Sequence, residues 1–193
     1  MRHPQLILEM KERGHGLMSV GQYMAVAEIV ELSSPCNFLV FGLGHDAYLW
    51  REINSGGRTA FLEDDKEWIG KFSESGLEIY AVEYDTRAED YEKYGYDKEK
   101  LKMDLPKEIT ETNWDIIFVD GPLGHNPPRP FKGPGRMKSI SAAHDLLKPN
   151  GICIFDDMGR MIERNYSLHF FGQDNLRNIV EGKIGIFQKE GEK

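Results

Sequence analysis

Apolar residues along this chain fall into short runs separated by stretches of helical period. The runs at 37–41, 58–62, 77–84, 114–119 and 151–155 each have a short, nearly continuous apolar core. That is what strands show when helices cover both faces of their sheet. Between them, 45–55, 65–75 and 135–147 carry helical patterns. Ahead of them, 19–31 predicts a long helix. Ser19 and Gln22 fit a capping box, and Val20, Met24, Ala27 and Val30 recur at helical spacing. Ser33-Ser34-Pro35 ends that helix, and Lys148-Pro149-Asn150-Gly151 is a stop signal for the last one. Residues 160–170 fit helix or strand. Residues 176–180 and 184–188 predict two strands across the turn Glu181-Gly182-Lys183. The expected fold is therefore α/β and Rossmann-like: a mostly parallel sheet with helices on both faces, closing in a C-terminal antiparallel hairpin. Ligands of such open sheets bind at the carboxyl ends of the strands.

Composition narrows the class. A chain of 193 residues, 40% of them apolar, can build its own core and is not disordered. We expect one domain over 1–193, with an N-terminal extension at 1–16 and a substrate loop at 123–135. The formal charge of −8 argues against a nucleic-acid partner, though not against a local basic pocket. No stretch approaches about 18 consecutive apolar residues, so no membrane partner is expected. Met1-Arg2-His3-Pro4-Gln5 lacks the apolar core of a signal peptide, and the expected location is cytoplasmic. Cys36 and Cys153 sit in or beside buried strands and read as reduced packing residues.

The chemistry gathers at the strand ends. Gly42-Leu43-Gly44-His45-Asp46 lies where the first strand meets a helix, and glycine there permits a tight turn and close approach of a ligand. The second strand ends in Glu63-Asp64, where a carboxylate can accept both hydroxyls of an adenosine ribose. These features suit S-adenosylmethionine. They also suit a nicotinamide dinucleotide, because Gly42, Gly44 and Ala47 complete its fingerprint. The loop alone leaves both open. The short chain, the hairpin and the acids further on favour the methyl donor. Candidate donor-binding residues are Gly42, Gly44, His45, Asp46, Glu63 and Asp64, with helix capping as the alternative role of Asp46.

Asp120, Asp156 and Asp157 end the fourth and fifth strands, which should be neighbours. Three converging carboxylates can hold Mg²⁺, Mn²⁺ or Ca²⁺ to activate a hydroxyl, act directly as a base, or cap loops. They are the candidate catalytic and metal-binding residues. Arg136 follows Gly133-Pro134-Gly135 at a helix start and is the candidate clamp for a substrate carboxylate. Arg129 and Lys132 on the same loop can add to that anion site. His144 lies at helical spacing with Met137, Ile140 and Leu147 and reads as a packing histidine; His3, His15 and His169 give no signal. Residues 91–100, rich in Lys, Glu and Tyr, read as a solvated helix or loop.

Several segments together resemble the plant glucuronoxylan 4-O-methyltransferase family, also called the polysaccharide-biosynthesis domain. They are Pro35-Cys36-Asn37-Phe38-Leu39-Val40-Phe41-Gly42-Leu43-Gly44-His45-Asp46, Gly56-Gly57-Arg58-Thr59-Ala60-Phe61-Leu62-Glu63-Asp64-Asp65, Trp114-Asp115, Val119-Asp120-Gly121-Pro122 and Pro134-Gly135-Arg136-Met137. They keep the family order and cover roughly 17–190. The resemblance implies a class I methyltransferase fold, S-adenosylmethionine as donor, and O-methylation of a sugar hydroxyl, typically on glucuronic acid. Two departures stand out. The family runs almost directly from Asp-Gly-Pro to Pro-Gly-Arg-Met, whereas this chain inserts a loop with His125, a further candidate substrate contact. The plant proteins also carry a membrane anchor. A small sugar, a nucleotide sugar or a glycoside bearing a uronate all remain open as acceptor. The family usually has histidine where this chain has Asp156.

Overall fold

The computed structural model describes residues 3–124 and 133–191. Its strands are β1 (Asn37–Phe41), β2 (Arg58–Glu63), β3 (Glu78–Ala81), β4 (Trp114–Val119), β5 (Leu147–Phe155), β6 (Leu176–Val180) and β7 (Ile184–Gln188). They form one sheet in the order β3-β2-β1-β4-β5-β7-β6. Pairing is parallel from β3 through β5 and antiparallel in β5–β7 and β7–β6. The helices are α1 (His3–Glu12), α2 (Val20–Ser33), α3 (Ala47–Ile53), α4 (Lys66–Lys71), α5 (Tyr91–Tyr94), α6 (Lys107–Thr110), α7 (Met137–Leu146) and α8 (Met161–Phe171).

Side chains alternate across each strand, so every strand feeds two cores. Leu39, Phe41, Ile117, Val119, Cys153 and Phe155 point into the core that includes Ile140 of α7 and Tyr166 of α8. Phe38, Val40, Ile116, Phe118 and Ile154 point into the core that includes Ile7 of α1, Val26 of α2 and Trp50 of α3. Covering both faces is why the strands read as nearly unbroken apolar runs. Cys36 and Cys153 are free and buried, one in each core. At α2 the expected capping box is present: Gln22 N donates to Ser19 Oγ (3.1 Å) and Ser19 N donates to Gln22 Oε1 (2.9 Å).

The structure departs from the sequence reading in three places and settles a fourth that was left open. The expected N-terminal extension forms α1, which packs on α2 and α3 and buries His3, Ile7 and Met10. These three share one helix face, but the polar residues between them weaken the signal. The third strand stops at Ala81, opposite Glu63, where β2 also ends. The fifth begins at Leu147 rather than 151. Trp114 pairs with Leu147 and Ile116 with Ile152, so the extra residues form a bulge in which Asn150 adopts φ 62°. The helix stop signal therefore also marks a bulged strand. Residues left open between helix and strand form α8.

Candidate active site

The strand order reverses between β1 and β4, opening a crevice at their carboxyl ends. The chain passes through it very tightly. Gly42 has φ 110°, and a Cβ there would lie 3.1 Å from Gly121 N. A Cβ on Gly121 would lie 2.8 Å from Gly42 Cα. The glycine of the first loop is thus required by the backbone of the fourth strand's loop as well as by any ligand. Glu63 ties the same loop to β2. Its Oε2 accepts Leu43 N (2.6 Å), and its Oε1 accepts Asp64 N (2.9 Å) and Asp65 N (2.8 Å). Both Glu63 oxygens are thus engaged by backbone, which leaves half-buried Asp64 as the freer carboxylate at this strand end. Burial pushes the carboxyls of Glu63 and Asp64 above their ordinary range.

Asp46 is buried at the start of α3. Its side chain makes no capping bond; it accepts from the Tyr23 hydroxyl (3.1 Å). Burial raises the Asp46 carboxyl, and burial with the Asp46 and Asp120 carboxylates raises the Tyr23 phenol, which therefore stays a donor. His45 is exposed and turns instead to an aromatic cluster. Its ring stacks on His15 (centroids 4.2 Å, 11° between planes) and meets the edge of Trp68 at 5.1 Å. His144 is half-buried against Phe170 and Phe171, as expected of a packing residue. His125, Arg129 and Lys132 lie outside the described residues.

Asp120, Asp156 and Asp157 do come together, but with cations among them. Arg136 Nη2 lies 3.4 Å from Asp120 Oδ1 and 3.2 Å from Asp157 Oδ2. Arg160 Nη2 lies 2.9 Å from Asp157 Oδ2, and Lys183 Nζ is 3.4 Å from Asp156 Oδ1. Asp157 holds this position with φ 63°, a left-handed backbone that aspartate tolerates better than most residues. Asp120 is the accessible member, its side chain 33% exposed against 6% for Asp156. Burial, together with the neighbouring Asp156 carboxylate, holds the Asp120 carboxyl well above the usual carboxylate range. A like charge beside a buried carboxyl disfavours its ionised form.

Two assignments from sequence change. Arg136 is not open to a substrate carboxylate. Its Nε donates to Pro122 O (3.0 Å) and its Nη1 to Asp156 O (3.1 Å), so it braces the two strand ends from inside. The three aspartates are not arranged as a metal site either. Among the described residues, no three or more His, Cys, Asp or Glu side chains are placed so that they could hold one metal ion. A divalent ion at these oxygens would also sit against Arg136, Arg160 and Lys183. The residues present do not fit such an ion. Sequence reasoning missed Tyr23, Arg160, Glu163 and Lys183. Only Lys183 carried a signal, as part of the hairpin turn.

The sequence profile of the IRX15/IRX15L/GXM family matches residues 22–100 and 94–187. The chain belongs to this family. It is 36% identical to glucuronoxylan 4-O-methyltransferase 3 of Arabidopsis thaliana over 171 residues, covering 77% of this chain and 56% of that protein. It is also 36% identical to arabinogalactan O-methyltransferase 2 of the same plant, covering 80% of this chain and 60% of that protein. The chain thus spans little more than half the length of these relatives. Among solved structures, it resembles the T. thermophilus 16S rRNA N2 G1207 methyltransferase in complex with AdoMet and guanosine (TM-score 0.56, 16% identity, 91% of this chain and 44% of that one). A methyltransferase-like protein from Silicibacter pomeroyi is similar in fold as well (TM-score 0.51, 14% identity, 92% of this chain and 90% of that one). The sheet agrees: the antiparallel β7 beside β5 separates it from the dinucleotide-binding order, in which the sixth strand continues the parallel series.

The residues at the crevice fit a cationic methyl donor. Asp46 is a buried carboxylate stabilised by the Tyr23 hydroxyl, the Trp50 ring N–H and its own backbone N–H, with no Lys or Arg paired to it among the described residues. Asp120 adds a second negative group close to it. A buried anion without a counter-charge is costly, and a ligand carrying a sulfonium and an ammonium removes that cost.

Proposed function

We propose that this chain is an S-adenosylmethionine-dependent O-methyltransferase acting on a sugar hydroxyl of a uronate-bearing glycoside, with Asp120 as the base. The observation that carries the reading is Asp120 itself. It stands at the end of β4, in the crevice, exposed on one side and held short of easy ionisation by Asp156. The kinship with glucuronoxylan and arabinogalactan O-methyltransferases supports the acceptor class.

When bound, S-adenosylmethionine supplies an electrophilic methyl group on a sulfonium. The chain does the rest. Asp46 and Asp64 offer carboxylates to the donor's cationic and hydroxyl groups. Asp120 would accept the proton of the acceptor hydroxyl as that oxygen takes the methyl group, the carbon–sulfur bond of the sulfonium breaking and the sulfur leaving as a neutral thioether. Arg136 fixes Asp120 against Asp157 and joins the loops after β4 and β5. A raised carboxyl pKa makes Asp120 a stronger base toward a weakly acidic hydroxyl.

Asp120→Asn tests this. The variant should still bind the donor, more weakly by the loss of one nearby negative group, as calorimetry reads it, while methyl transfer to a glucuronoside at saturating donor falls by about 10²–10⁴-fold, the range for a lost general base. Unchanged turnover with intact donor binding would remove Asp120 from the chemistry.

A further inference from the structure

With Arg136 closed inside the protein, the acceptor's carboxylate needs another partner. Two cations at the same edge are partly open: the Arg160 side chain is 24% exposed and that of Lys183 is 31% exposed. Neither is fully committed. Lys183 Nζ stands 3.4 Å from Asp156 Oδ1 and 3.7 Å from Asp157 Oδ1, longer than the ~2.7–2.9 Å of a charge-assisted bond. Arg160 gives Nη2 to Asp157, but its buried Nη1 has no hydrogen-bond partner among the described residues. That Nη1 lies 3.7 Å from Oε1 of Glu163, which is 1% exposed and has, among the described residues, no hydrogen-bond partner for either carboxylate oxygen. Polar groups buried without partners are rare in native proteins and mark a place where something is to be completed.

The placement of the two cations is built into the fold. Met158 N donates to Lys183 O (2.8 Å), so the hairpin turn is fastened to the loop after β5. Arg160 N donates to Asp157 O (2.8 Å), a turn that starts α8. Both cations therefore flank the Asp157 carboxylate. Asp157 and Asp120 in turn share Arg136 Nη2, so this cationic pair lies close beside the proposed base. In a hexuronic acid the carboxyl group and the nearest ring hydroxyl sit on adjacent carbons, so an acceptor that offers this hydroxyl to Asp120 brings its carboxylate to the same end of the crevice.

The geometry points to Arg160 and Lys183 as the residues that read the acceptor's carboxylate, with Glu163 a positioning residue that orients Arg160. This rests on the methyl-transfer reading above and adds the residues that set its specificity. Burial raises the Glu163 carboxyl and Arg136 opposes that rise, consistent with a group held for its place under two guanidinium groups.

The test compares a glucuronoside with its carboxyl-reduced glucoside. Binding is measured by calorimetry with the demethylated donor product present, and turnover is measured in parallel. Arg160→Gln and Lys183→Gln should each weaken glucuronoside binding about ten-fold or more relative to glucoside binding, the worth of a charged hydrogen bond. Arg160→Lys should keep part of the preference. Glu163→Gln should raise KM for the glucuronoside more than it lowers kcat. If both Gln variants keep the wild-type preference, or the wild type binds the two glycosides equally, the assignment is overturned. Absence of turnover with intact, Arg160-dependent glucuronoside binding would instead count against the methyl-transfer reading.

Discussion

Asp120 and Asp156 divide one task between them. Asp120 faces the crevice, while Asp156 is closed behind it with Lys183 at its Oδ1. The charge on Asp156 is what holds the Asp120 proton beyond the effect of burial. A base must lose that proton before it works, so activity should rise with pH through the raised Asp120 pKa. Removing the like charge lowers that pKa. Asp156→Asn should therefore shift the acid limb of kcat/KM to lower pH and weaken the base, reducing the plateau rate. A pH–rate profile of the two proteins checks this, and an unmoved acid limb would separate Asp156 from the titration. The glycines work in an equally paired way. Gly42 and Gly121 are both required because their backbones meet, so neither loop can acquire a side chain without moving the other.

The hairpin of β6 and β7 is a working part of the edge because its turn carries Lys183. It is fastened on both sides: Lys183 O accepts from Met158 N, and Glu181 Oε2 accepts from Ser19 Oγ (2.6 Å). Ser19 also caps α2, whose Tyr23 donates to Asp46. One serine thus links the helix on the donor side to the hairpin on the acceptor side. Ser19→Ala should cost about 1 kcal/mol in denaturant unfolding through loss of the cap. Glu181→Gln, which keeps the cap, should cost less; equal losses would show that the hairpin contact rather than the cap carries the stability. Elements of this kind were legible in sequence wherever periodicity and punctuation agreed. The capping box at Ser19 and Gln22, the five parallel strands (the third and fifth with other bounds) and the hairpin all declare themselves locally. The bulge at Asn150 did not, because a turn signal inside a strand reads as its boundary. Helix α1 did not, because its buried face is only His3, Ile7 and Met10. Within the site, the strand-end acids were legible from position alone. Their counter-charges were not. Arg160 and Glu163 enter from α8 and its cap, and no spacing rule connects them to Asp157. Arg136 was found but its direction was misread, since sequence does not tell a guanidinium facing a ligand from one bracing two strands.

The carboxyl edge of the sheet gathers buried acids that the rest of the fold must tolerate. Asp46, Glu63, Asp64, Asp120 and Glu163 all have carboxyls raised by burial. A carboxyl whose pKa is higher in the folded than in the unfolded chain favours the native state fully only below its unfolded value of about 3.9–4.3. That contribution is lost as pH rises through the folded pKa. Near neutral pH these groups therefore weigh against folding, in a chain already carrying a net charge of −8. A cationic donor reverses the balance for Asp46 and Asp120, so donor binding and stability should be coupled through pH. Asp46→Asn keeps an acceptor for the Tyr23 hydroxyl and removes the charge. The free variant should melt higher than the wild type at neutral pH, each kcal/mol gained appearing as about 2–4 °C in Tm, and the advantage should vanish in acid. The donor should raise the wild-type Tm by an amount that grows as pH rises above the ordinary carboxylate range, whereas its effect on Asp46→Asn should be smaller and depend less on pH. Thermal melts with S-adenosylmethionine and with its demethylated product, at several pH values, read both trends. The product lacks the sulfonium charge and should stabilise less. A donor effect that is independent of pH, and equal for the two ligands, would mean that the buried carboxylates are not the donor's counter-charge.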